Sequence, residues 1–144
     1  MASLIGHQGA IACLKKQYAQ KPELLTSYLN EEYDYKLFVE HFIRGANQLD
    51  TLYNSFNEEL SIEEKTGIKK EAISSIIKNL DTLQLKSNGR RLNEMFVELP
   101  NNAYLMSFIR YSSKQGNFEE EFVSNFKDDL RAYIRYYKNN YPSL

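Results

Sequence analysis

From Leu37 to Phe56 the apolar residues step by three and four almost without fault: Leu37, Phe38, Phe42, Ile43, Ala46, Leu49, Leu52, Tyr53 and Phe56. That spacing marks one buried face of a long helix over residues 35–57. Asp34, just ahead of it, is the expected N-cap, because a short carboxylate can accept from the unpaired amides of a first turn. Gly45 interrupts the pattern at a cost of about 1 kcal/mol relative to Ala. It therefore signals either a kink or a close crossing with another helix.

Weaker helical spacing precedes this element. Leu4, Ile5, Ala12, Leu14 and Tyr18 place a helix over 3–20. Lys21-Pro22 ends it, since proline disfavours a helical residue before it. Pro22 suits the first turn of a short second helix carrying Leu24, Leu25, Tyr28 and Leu29. Farther on, Phe118, Phe122, Phe126, Leu130, Ile134 and Tyr137 predict a final helix over 118–139, capped by Asn117. Residues 92–99 read as extended, Pro100-Asn101-Asn102 as a turn, 104–111 as strand or helix, and 112–117 as a loop.

The segment between the long helix and residue 92 has a different character. Residues 60–91, LSIEEKTGIKKEAISSIIKNLDTLQLKSNGRR, read as a short helix, a turn at Gly67, a second helix over 69–84 and a basic hairpin. Ile73, Ile76, Ile77 and Leu80 give that second helix one inner face. Asn88-Gly89 is a strong two-residue hairpin signal, because both residues tolerate the positive φ of a type I′ turn.

Charge sharpens the contrast. The net charge is −1, but residues 1–64 carry five Lys/Arg against ten Asp/Glu, and 65–92 carry seven against two. A basic island in an acidic chain is what phosphate contact requires. Thr66-Gly67-Ile68, then Lys69-Lys70-Glu71, Ala72-Ile73-Ser74 and Ile76-Ile77, resemble the helix-turn-helix of the winged-helix transcription regulators. Glu63 departs from that pattern, which prefers a small residue there.

The resemblance implies a mainly α fold: a winged helix-turn-helix core over 47–99 with a small β-hairpin, and N- and C-terminal helical extensions at 1–46 and 100–144 of one domain. It implies base contacts from Lys70, Glu71, Ser74 and Ser75, and phosphate contacts from Lys69 and Lys78. The wing, 86–91, would touch the DNA backbone through Lys86, Asn88, Arg90 and Arg91. The expected function is a transcriptional regulator of duplex DNA, without cofactor, dimeric through the flanking helices. The alternative is a non-enzymatic helical module that binds another protein, of the immunity-protein, antitoxin, anti-factor or phage-adaptor kind.

Candidate chemistry elsewhere is sparse. His7 and His41 are the only histidines and form no metal-ligand pattern, so no metal is expected. Glu58, Glu59, Glu63 and Glu64 read as a solvated helix face. No Gly-rich phosphate loop or nucleophile elbow is present, which argues against an enzyme. The single cysteine, Cys13, lies among apolar residues and reads as a buried thiol. With no basic n-region before the apolar N-terminus and no apolar run of about 18 residues, the expected setting is cytoplasmic, away from membranes.

Overall fold

The computed structural model describes residues 2–87 and 92–141, with only the backbone of 112–115. Five α-helices follow one another among the described residues: α1 (Ala2–Gln17), α2 (Pro22–Asn54), α3 (Ile62–Lys78), α4 (Asn102–Phe126) and α5 (Leu130–Asn140). Two 3-10 turns, Asn79–Thr82 and Leu92–Met95, lie between α3 and α4. No strand occurs among the described residues. The expected winged helix-turn-helix with its β-hairpin is therefore replaced by an all-helical fold.

The reason lies in α3. Ser61 caps it with a reciprocal pair: Glu64 N donates to Ser61 Oγ at 3.2 Å, and Ser61 N donates to Glu64 Oε2 at 2.9 Å. This capping box starts one helix at Ile62, and that helix runs straight through Gly67. Gly67 has no positive φ and makes no turn. The two short helices expected on either side of it are one rod. Residues 92–99, expected extended, begin instead as a 3-10 turn.

Other boundaries shift for similar reasons. α2 is continuous across Asp34, so the two helices expected over 22–33 and 35–57 are one. Pro22 sits at its first position, where a missing N–H is harmless. α4 runs through the expected loop at 112–117. The expected last helix is broken at Lys127 and Asp128, whose φ values of 49° and 63° are left-handed. Asp129 restarts it, its Oδ1 accepting from Arg131 N at 2.9 Å and Ala132 N at 3.0 Å.

The chain divides into two units, Met1–Thr26 with Tyr111–Leu144, and Ser27–Arg110. In the first, Leu4 of α1, Phe122 of α4 and Tyr133 of α5 form the core, flanked by Phe118, Phe126, Leu130 and Tyr137. Tyr137 donates to Glu121 Oε2 at 2.6 Å. The neighbouring Tyr133 hydroxyl is buried without a hydrogen bond. Cys13, expected buried, is exposed.

In the second unit, Phe42, Ala46 and Leu49 of α2 meet Ile73, Ile76 and Ile77 of α3, Leu80, and Leu105 of α4. Phe42 is wholly buried and stacks on Phe108, with ring centroids 4.7 Å apart. Phe38, Phe96 and Tyr104 surround the same ring at 4.8, 5.8 and 5.6 Å. The isoleucines expected as the inner face of a DNA-reading helix are thus the ones that dock α3 on α2. His41 adds a polar tie: its Nε2–H donates to the Ile76 carbonyl at 2.8 Å.

Candidate functional site

The residues expected to face DNA do not gather into a reading surface. Lys70, Glu71, Ser75 and Lys78 are exposed along α3, while Lys69 and Ser74 are half-buried. Asn88, Arg90 and Arg91 lie outside the described residues. Lys86 is held in place by its neighbours: its Nζ sits 3.9 Å from the centroid of the Tyr33 ring.

Beside it, Asp34 is buried in the middle of α2 and serves as an acceptor for the segment that follows Leu85. Lys86 N donates to its Oδ1 at 2.7 Å and Ser87 N to its Oδ2 at 2.8 Å, and the Ser87 hydroxyl also donates to Oδ2. Burial pushes the Asp34 carboxyl up. The Ser87 and Lys86 hydrogen bonds and the Lys86 charge outweigh it, and the group lies below its ordinary value. Both carboxylate oxygens are engaged by the chain itself, so this group clasps structure and offers nothing to a ligand.

A small cavity of about 220 Å³ opens in the same unit between α2 and α4. Helix α2 lines it with Ala46, Leu49, Asp50 and Tyr53, and α4 with Asn102, Leu105 and Met106. Ala46, Leu49 and Leu105 are buried and make an apolar floor. Tyr53 donates its hydroxyl to Asn102 Oδ1 at 2.8 Å, tying the two helices together at one edge. Asp50 and Met106 are exposed at the rim. Asp50 accepts one long hydrogen bond, from Asn54 Nδ2 at 3.5 Å, and has no cationic partner among the described residues. The arrangement is a carboxylate and an amide above an apolar pit, suited to a cation attached to a compact apolar group.

The sequence showed only half of this. The stripe Ala46, Leu49, Tyr53 marked the α2 wall as a buried face, with Asp50 one turn after Ala46. The opposite wall was not legible, because Asn102 read as a turn residue and Met106 as part of an ambiguous segment. Among the described residues, no group of three or more His, Cys, Asp or Glu could hold a metal ion. No helix among them is long and apolar enough to cross a membrane.

A family model described as "Putative aminopeptidase" matches residues 1–140, and the chain belongs to that family. No curated protein and no solved structure matches the chain. The family match overturns the resemblance to winged-helix regulators, and with it the DNA-binding, transcription-regulating function. It likewise overturns the alternative of a non-enzymatic interaction module and the expectation that the chain is not an enzyme. The source of the error is physical. Thr66-Gly67-Ile68 resembles a turn, but the Ser61 capping box and the isoleucine face favour one uninterrupted helix.

Proposed function

We propose that the chain acts on peptides at their amino ends, removing the first residue by hydrolysis. In that reaction the oxygen of water adds to the first peptide carbonyl carbon. The C–N bond then breaks, and the rest of the peptide leaves with a proton on its new amine. The observation that carries the reading is the family match over residues 1–140. The cavity between α2 and α4 supports it, since a carboxylate above an apolar pit complements an ammonium group carried next to a side chain.

The test is mass spectrometry of short peptides incubated with the purified protein, each with a free or an acetylated amino end. Loss of the first residue from the free-ended peptides alone is the expected result. No shortening, or equal cleavage of acetylated peptides, overturns the reading.

A further inference from the structure

The geometry points to the α2–α4 cavity as the pocket for the first residue of a peptide with a free amino end and a compact apolar first side chain. This rests on the amino-end reading above and adds to it a place, a set of residues and a substrate class.

Size comes first. Pockets that enclose a drug-sized ligand run from about 300 to 1,000 Å³. At about 220 Å³ this one has room for a single side chain. The floor of Ala46, Leu49 and Leu105 offers no hydrogen bond, so a polar or charged side chain entering it would lose water without replacement. A Leu or Val side chain gains by the same burial.

Polarity at the rim supplies direction. Asp50 is exposed, without a cationic partner among the described residues, and can accept from an α-ammonium group. Tyr53 spends its proton on Asn102 Oδ1, which leaves the Asn102 Nδ2 amide as a donor. The first residue of a peptide carries the matching set: a cationic donor at its nitrogen, an acceptor at its carbonyl and an apolar side chain between them. A free amino acid would instead bring its own carboxylate toward Asp50. An acetylated end would bring no charge. Met106, 45% exposed at the rim, is the residue whose bulk limits what enters.

The experiment is isothermal titration of the full chain with Leu-Gly-Gly, N-acetyl-Leu-Gly-Gly, Gly-Gly-Gly and Trp-Gly-Gly, repeated on Asp50→Asn and Met106→Trp. Both substitutions are at exposed positions and leave the floor intact. Leu-Gly-Gly is expected to bind at least tenfold more tightly than Gly-Gly-Gly, from burial of one side chain. Asp50→Asn is expected to weaken Leu-Gly-Gly about fivefold, the scale of one exposed ion pair. It should also abolish the gap between free and acetylated ends. Met106→Trp is expected to weaken Leu-Gly-Gly.

Equal binding of free and acetylated peptides, or of Leu-Gly-Gly and Trp-Gly-Gly, overturns the assignment. So does an unchanged affinity in both variants. Peptide shortening that persists unaltered in both variants keeps the amino-end function and places its pocket elsewhere. Cavity-dependent binding with no shortening keeps the pocket and removes the peptidase reading.

Discussion

Gly45 of α2 lies so close to Ile76 of α3 that a β-carbon placed on it would sit 2.8 Å from Ile76 Cγ2. Two further Ile76 side-chain atoms lie within 3.0 and 3.2 Å of the same point. Ile is stiff at χ1, and this one also presents its carbonyl to His41. Overpacking of this kind costs about 1–3 kcal/mol, against a gain of up to about 1 kcal/mol from helix propensity. Gly45→Ala is therefore expected to destabilise the fold, read as a lower urea midpoint. A raised midpoint would show that α2 and α3 are not in this contact.

Gly67 predicts the opposite sign. It lies inside α3, and a β-carbon added there would meet nothing within 4 Å. Gly67→Ala should stabilise by about 0.5–1 kcal/mol, by restricting the unfolded chain and favouring helix. Had Gly67 been a helix-turn-helix turn, the same change would destabilise. Thermal melting of the single variant separates the two.

Asp34 makes stability depend on acid. Burial raises its carboxyl, but the Ser87 and Lys86 hydrogen bonds lower it further than burial lifts it. A group depressed in the folded state stabilises fully above its unfolded value, about 3.9. That contribution is lost as the pH falls through the lowered folded value. Asp34→Asn should cost about 2 kcal/mol at neutral pH, the scale of hydrogen bonds to a charged acceptor. The gap to the unsubstituted chain should narrow as the pH drops below about 4. Denaturation curves at neutral and acid pH measure both, and a gap that stays constant would refute the linkage.

Tyr133 and Tyr137 pack ring against ring yet should respond differently. Burial, followed by the bond to Glu121, pushes the Tyr137 hydroxyl far above its ordinary value. Its stabilising contribution is complete below the unfolded value, about 10, and is lost as alkali takes the pH through the raised one. Tyr137→Phe should cost about 1–2 kcal/mol through the orphaned Glu121 contact. Tyr133→Phe should cost less than Tyr137→Phe, because the buried Tyr133 hydroxyl has no partner in good hydrogen-bond geometry and feels Tyr137 and Glu121 only as near neighbours. Alkaline difference spectra should show the tyrosine that ionises at the highest pH missing in Tyr137→Phe.

The periodic parts of this fold were legible, and the parts that depend on partners far along the chain were not. Phe42, Ala46 and Leu49 were marked as core by spacing alone, and they are core. Gly45 was readable as either a kink or a close crossing, and its approach to Ile76 makes it the crossing. The capping box of Ser61 and Glu64 formed no part of the sequence reading, which followed the likeness of Thr66-Gly67-Ile68 to a turn and placed Glu64 on a solvated face. Asp34 was unreadable in a different way. A carboxylate before an apolar stripe suggests a cap, and nothing local reveals that its partners are Lys86 and Ser87. The cavity has the same character, since Tyr53 and Asn102 meet only once α2 and α4 are packed. Family membership was the least visible, because no short motif announces it and the match extends over 1–140 as a whole.

The left-handed pair Lys127 and Asp128 does more than end a helix. It fixes the angular phase at which α5 begins, and hence which of its residues look inward. One residue more or fewer ahead of Asp129, carried into the helix, would rotate every later side chain by about 100°. Tyr133, now fully enclosed, would turn toward solvent. A single-residue indel in this turn would act on the whole aromatic face of α5 at once, where a substitution would touch only one ring.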